Sequence, residues 1–162
     1  MNKEQEIWSL LETIPDPEVP VLSVIDLGII RDVKVINGAA ELTITPTYSG
    51  CPAMDVISMT IRMALLQKGY KDIKIKTVLS PAWTTDWMTK HGKQKLKAYG
   101  IAPPYGSKNN NEINLFAEPE NVQCPLCNSY NTTMISEFGS TACKSLYRCN
   151  DCGEPFDHFK CH

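Results

Sequence analysis

Apolar residues recur at helical spacing over residues 4–14, where Ile7, Leu10, Leu11 and Ile14 share a face with Trp8 beside them. Pro15 and Pro17 close that helix. The period then changes to two. Val33 and Val35 alternate with charged residues over 30–36, and Ala40, Leu42 and Ile44 alternate over 40–45, so both stretches read as strands. Between them Asn37-Gly38 predicts a two-residue hairpin turn, since both central positions of a type I′ turn require positive φ. A helical period returns after residue 51, with Val56, Met59, Thr60, Met63 and Leu66 on one face and Gly69 as the terminating cap. Residues 71–80 alternate again, with Ile73, Ile75, Thr77 and Leu79 set against Lys74 and Lys76.

Helix, hairpin, helix, strand predicts an α+β fold, a small sandwich with helices covering one sheet face. The third strand should lie parallel to a hairpin strand, because a helix carries the chain back across the sheet. The following Ser80-Pro81-Ala82-Trp83-Thr84-Thr85-Asp86-Trp87-Met88 reads as a proline turn and a capped, lysine-rich helix reaching about Tyr99, with Thr84 or Thr85 as the cap. Trp83 and Trp87 read as anchors of that helix, with a wall of a site as the alternative. Prolines, a glycine and Asn109-Asn110-Asn111 mark a linker over 101–121. The expected organisation is therefore a domain over 1–100, a linker over 101–121 and a separate module over 122–162.

That module holds the strongest chemical signal. Cys124-Pro125-Leu126-Cys127 and Cys149-Asn150-Asp151-Cys152-Gly153 are two C-x-x-C pairs. Each two-residue gap lets both sulfurs converge on one ion, and the N–H groups that follow can donate to the thiolates. Two such knuckles complete a tetrahedral four-cysteine site suited to structural zinc, with a single iron or an iron–sulfur cluster as the alternative content. Some 40 residues hold too little core to fold alone, so the metal should supply much of the stability. Cys143, His158, Cys161 and His162 are surplus to four ligands. They read as packing and terminal residues, or, for Cys143, Cys161 and His162, as a second metal site.

Cys51 stands apart in Thr45-Pro46-Thr47-Tyr48-Ser49-Gly50-Cys51-Pro52-Ala53-Met54. Proline is comfortable at the first helical position, so Pro52 sets Cys51 at a helix mouth, where unpaired N–H groups and the helix dipole favour a thiolate. A small buried residue ahead of a helix is the plainer reading. Asp26, in Ser23-Val24-Ile25-Asp26-Leu27-Gly28, is a carboxylate set among apolar residues; Asp16, in Asp16-Pro17-Glu18, needs no more than a turn in which its carboxylate accepts from nearby backbone N–H groups.

Composition narrows the class. Hydrophobic residues at 43% and charged residues at 21% are globular values, and seven cysteines in a chain beginning Met-Asn-Lys-Glu-Gln-Glu point to reduced thiols in the cytoplasm. No apolar run approaches a membrane span. The net charge of −2 hides a basic middle: residues 61–108 carry ten Lys/Arg against two Asp/Glu. It reads as a solvated lysine face, and no aromatic-interleaved basic motif points to nucleic acid.

Asp16-Pro17-Glu18, Ser23 to Gly28 and the strand-turn-helix with Cys51-Pro52 resemble the SufT-like family of metal–sulfur cluster assembly domains. With Trp83 to Met88, Tyr99-Gly100-Ile101-Ala102-Pro103-Pro104, Phe138-Gly139-Ser140-Thr141-Ala142-Cys143-Lys144 and Glu154-Pro155-Phe156-Asp157, the whole chain is similar to the PaaD (PaaJ) family of phenylacetate-degradation proteins. The resemblance implies an accessory subunit of the ring-1,2-phenylacetyl-CoA epoxidase (phenylacetyl-CoA oxygenase) system, whose other parts include a di-iron oxygenase and an iron–sulfur reductase. It implies iron–sulfur or iron-centre maturation in a partner through Cys51, with transient binding of iron or a cluster and Asp26 nearby. A structural subunit that affects electron transfer or substrate access is the alternative. A cysteine-dependent enzyme is the weakest reading, because no histidine is placed as an obvious base: His91 lies on the lysine-rich helix and the others in the four-cysteine module. In keeping with the resemblance, the chain has no Glu-x-x-His helix or glycine-rich nucleotide loop of its own.

Overall fold

The computed structural model describes residues 2–105 and 121–160. The chain divides into two compact units, Met1–Gly92 and Lys93–His162.

In the first unit α1 (Lys3–Leu11) starts in a capping box: the Asn2 side chain accepts from the Glu4 N–H at 3.3 Å, and the Gln5 side chain accepts from the Asn2 N–H at 3.1 Å. The helix ends three residues earlier than its apolar period. Ile14 precedes a proline and is pushed out of helical geometry, yet it stays buried, held by turn bonds from the Thr13 and Ile14 N–H groups to the carbonyls of Leu10 and Leu11. β1 (Ile30–Ile36) and β2 (Ala39–Ile44) form the expected hairpin, with Asn37 and Gly38 at φ 51° and 85°. After α2 (Ala53–Gln67), β3 (Ile73–Thr77) pairs parallel with β2, giving a sheet of order β1-β2-β3. Ile7, Leu11, Val33, Leu42, Ile57, Ile61 and Leu65 are buried in this unit.

α2 corrects the expected face. It carries two apolar stripes, and the buried one is Ala53, Ile57, Ile61 and Leu65. Val56, Met59, Met63 and Leu66 point to solvent. Both stripes satisfy the helical period, so spacing alone could not choose between them. At its C-terminus the N–H groups of Gly69 and Tyr70 donate to the carbonyls of Leu66 and Leu65, a Schellman closure that needs the left-handed φ of +92° at Gly69.

The expected single helix over 84–99 is two elements. Thr84 accepts from the Asp86 N–H at 3.2 Å and caps a 3-10 turn, Thr85–Trp87. Met88 is extended, and Thr89 then caps α3 (Lys90–Tyr99) by accepting from the Gly92 N–H at 2.9 Å. Two threonines five residues apart each start a turn, and the second cap breaks the first. Trp83 is an anchor: it is buried and its indole N–H donates to the Leu27 carbonyl at 2.8 Å.

The second unit is built on a four-stranded sheet of order β4-β7-β6-β5, from β4 (Ile101–Ala102), β5 (Thr132–Ser136), β6 (Lys144–Cys149) and β7 (Pro155–Phe159). β4 runs parallel to β7 and the other pairs are antiparallel. Ile101 and Ala102, the first residues of the expected linker, pair with Asp157 and His158 of β7 at the edge of this sheet. Ala102, Val122, Cys124, Tyr147, Cys149 and Phe156 make a small core.

Candidate metal centre and the Cys51 loop

Each C-x-x-C pair closes by the same backbone device. The N–H of Cys124 donates to the Ser129 carbonyl at 2.8 Å and that of Asn128 to the Cys124 carbonyl at 3.0 Å; Cys149 with Glu154 and Gly153 with Cys149 repeat this at 3.0 and 2.9 Å. The residue after each second cysteine turns left-handed, Asn128 at φ 62° and Gly153 at φ 78°. Those are the residue types that tolerate that region. In consequence the four sulfurs of Cys124, Cys127, Cys149 and Cys152 all lie within 4.8 Å of one another.

The donor set fits zinc. Sulfurs at about 2.3 Å from a tetrahedral ion stand about 3.8 Å apart; here Cys124 and Cys152 are separated by 3.9 Å and Cys127 and Cys149 by 3.5 Å. Backbone N–H groups are already aimed at the sulfurs. The N–H of Cys152, with that of Asp151, holds the Cys149 thiol down to about 7. The Ser129 N–H acts in the same sense on Cys127 and is the largest single influence, but Cys149, burial, Cys124 and Cys152 together outweigh it and Cys127 is pushed up to about 12. Four thiols this close resist ionising together, and a dication removes that conflict. Cys124 and Cys149 are fully buried while Cys127 and Cys152 reach the surface. A network joins the two knuckles: Ser129 donates to Asp151, Asn131 donates to Asp151 at 2.8 Å, and Asn150 donates to Asn131 at 3.1 Å. Sequence reading missed this brace; the clustering of Asn and Ser beside the cysteines is its only trace.

Cys143 lies just before β6, at the opposite end of that strand from Cys149, about 20 Å away at strand rise. It is buried, with its sulfur 3.1 Å from the Thr141 hydroxyl. Among the described residues it joins no other cluster of metal-ligating side chains. Cys161 and His162 lie outside the described residues.

His158, on β7, has its Nε2 buried without a hydrogen-bond partner among the described residues and its ring edge-on to Tyr147 at 5.7 Å. Burial, and secondarily Lys160, lower its pKa from 6.5 to about 4. A depressed folded value favours the neutral ring, so its contribution is complete above pH 6.5 and is lost as pH falls toward 4. We expect His158→Phe to flatten the acid side of the stability profile of the metal-loaded chain. Wild type should lose about 2 kcal/mol more than the variant between pH 7 and 5, read by urea denaturation; ligand protonation affects both alike.

In the first unit the Cys51 loop follows β2. Gly50 takes φ 79°, the Cys51 N–H donates to the Tyr48 carbonyl at 3.3 Å, and the Cys51 carbonyl accepts from the Met54 N–H at 3.2 Å. Pro52, at φ −68° and ψ −22°, already has helical geometry, which leaves Cys51 as the partly exposed residue at the mouth of α2. Asp26 is buried in a different arrangement. Its carboxylate accepts from the Ser23 N–H at 3.1 Å and from the Thr89 hydroxyl at 3.0 Å, while the Ser23 hydroxyl accepts from the Asp26 N–H at 3.0 Å. The Thr89 N–H donates to the Asp26 carbonyl at 2.9 Å. Asp26 thus ties the 23–28 turn to the start of α3. Asp16 makes the expected turn, accepting from Glu18 and Val19 at 2.9 and 2.7 Å. Asp26→Ala should leave the buried Ser23 N–H and Thr89 hydroxyl unsatisfied and destabilise the first unit by about 2–3 kcal/mol, measured by chemical denaturation.

A mixed sheet backed by two helices, with a cysteine loop entering the second helix, is joined to a four-cysteine ribbon. The corresponding class is a metal–sulfur assembly domain fused to a zinc ribbon. Residues 4–76 match the family described as iron–sulfur cluster assembly protein, and residues 108–160 match the PaaD zinc beta ribbon domain. Over 156 residues the chain is 50% identical to an Escherichia coli (strain K12) protein named as a 1,2-phenylacetyl-CoA epoxidase subunit, spanning 96% of this chain and 92% of that one. It is 38% identical over 98 residues to an Fe-S protein maturation auxiliary factor of Porphyromonas gingivalis, covering 59% of this chain and 92% of that protein. A crystal structure of a domain of unknown function, DUF59, from Bacillus anthracis superposes with a TM-score of 0.54 at 28% identity, covering 57% of this chain and 90% of the other. The chain belongs to the iron–sulfur cluster assembly protein family, in the form that carries a PaaD zinc ribbon. No helix among the described residues is long and apolar enough to cross a membrane.

Proposed function

We propose that this chain is an accessory subunit of a phenylacetyl-CoA epoxidase system and that it assists assembly of an iron–sulfur or iron centre in a partner subunit through Cys51. The observation that carries the reading is the partly exposed Cys51 at the mouth of α2, in the unit that matches the assembly family. A thiolate in that position is a soft ligand for iron in transit, and a cluster is cargo rather than a resident cofactor. Asp26 acts by holding the 23–28 turn against Thr89. The ribbon, with zinc held by Cys124, Cys127, Cys149 and Cys152, serves as a docking module. The partners are the di-iron oxygenase and iron–sulfur reductase subunits.

Cys51→Ser in the reconstituted system tests this. The variant should fold with full zinc, yet cluster content of the reductase and ring epoxidation should fall together, by about tenfold or more. Normal cluster loading with normal epoxidation would remove the role of Cys51. Normal loading with failed epoxidation would favour a structural subunit that governs electron transfer or substrate access.

A further inference from the structure

The outward stripe of α2 has no role in the metal centre, in the Cys51 loop or in the core. Val56, Met59, Met63 and Leu66 are 53%, 69%, 54% and 46% exposed. Their spacing of three, four and three residues makes a straight seam along the helix, continued toward the N-terminus by the exposed Pro52. Together they present roughly 400 Å² of contiguous apolar surface, the scale of a contact patch rather than of scattered exposed residues. The Thr60 hydroxyl, on one flank, is turned inward and donates to the Val56 carbonyl at 2.8 Å, so that flank offers little polar resistance to contact.

The other flank carries Asp55 and Arg62, two turns apart and of opposite sign. A second α2 laid antiparallel, with the two-fold axis near Met59, brings Asp55 of each copy against Arg62 of the other. It also stacks Val56 on Met63 and opposes the two Met59 side chains. One Arg62 nitrogen donates to the Ile73 carbonyl at 3.0 Å, and a guanidinium keeps further donors for an acid across the seam. The seam is thus complementary to itself in its apolar order and in charge, as a two-fold contact requires.

We propose that the Val56–Met59–Met63–Leu66 face of α2 is the interface of a homodimer, formed by antiparallel pairing with α2 of a second copy. Two such patches bury roughly 800 Å² of apolar surface plus flanking polar area, at the low end of specific interfaces, so the dimer is reversible and concentration-dependent. Pairing covers the helix that follows Cys51 and sets two Cys51 loops at opposite ends of one seam.

Sedimentation of the full, zinc-loaded chain from about 1 to 500 µM tests the proposal; the expected result is a reversible monomer–dimer equilibrium in the micromolar range. Met59→Glu with Met63→Glu should be monomeric throughout, with unchanged helix content and zinc stoichiometry. Asp55→Arg should weaken association about tenfold by setting arginines against each other, and adding Arg62→Asp should restore it. A chain monomeric at every concentration overturns the proposal. So does a dimer that survives the Met59/Met63 pair, or a charge swap that fails to recover what Asp55→Arg lost. An exposed seam of this kind that bound only a different protein would give the monomeric result.

Discussion

Cys149→Ser is expected to release the ribbon's metal and unfold residues 121–160, while the Met1–Gly92 unit stays folded. Cys149 is fully buried in the ribbon and belongs at once to the metal centre, to strand β6 and to the six-residue core. That core is too small to offset the conformational entropy of ordering the module, whereas structural zinc contributes on the order of 10 kcal/mol or more to such ribbons. Serine keeps the volume but loses the soft thiolate donor, and the remaining sulfurs are left crowded without a full ligand set. Metal analysis should fall from one zinc per chain toward none, and amide signals of the ribbon should collapse to unfolded positions. Those of β1, β2 and α2 should stay dispersed, because the two units are separately compact. Leu126→Ser, at an exposed position between two ligands, is the control and should retain metal. Retention of full zinc by Cys149→Ser would refute the four-cysteine assignment.

Gly28→Ala should be the most damaging single change in the first unit. Gly28 sits at φ 71°, where a side chain is strained, and an added Cβ would lie 2.1 Å from the Trp87 carbonyl oxygen and 2.7 Å from its carbon. Both obstacles are backbone, so no rotamer change relieves them. The Gly28 N–H closes the turn onto the Ile25 carbonyl at 2.9 Å, and Arg31 reaches back to the Gly28 carbonyl while lying 3.6 Å from the centre of the Trp87 ring. Displacing Trp87 would therefore disturb the 3-10 turn, the Asp26–Thr89 bonds and the Trp83 anchor together. We expect a loss of about 3 kcal/mol or more, combining left-handed strain with the clash. Chemical denaturation checks it; a loss below about 1 kcal/mol would mean the turn and Trp87 are not packed as described.

The two C-x-x-C pairs were legible at once, because two-residue spacing followed by Asn128 and Gly153 encodes the knuckle within a few residues. The Asn37-Gly38 hairpin was legible for the same reason. The limits were equally specific. Asp26 read only as a carboxylate set among apolar residues, and nothing local shows that its bonds run to Ser23 and to Thr89, sixty-three residues away. That link is set by how the 3-10 turn packs over Gly28, which no local pattern records. The helix expected over 84–99 split because Thr89 caps a second start, and the two threonines look alike until Asp26 accepts from one of them.

α2 shows most plainly what each level determined. The sequence by itself established that residues after Cys51 form a helix, where it stops, and that one face carries Val56, Met59, Met63 and Leu66. Only the tertiary structure decided which side is core. Ile57, Ile61 and Leu65 are buried, and the Val56–Leu66 stripe is left to water. Local spacing sets what a helix can bury, whereas the crossover from β2 to β3 sets which face meets the sheet. The same division holds for the cysteines: spacing gathers each pair, and only the pairing of β6 with β5 and β7 brings the pairs together around one ion.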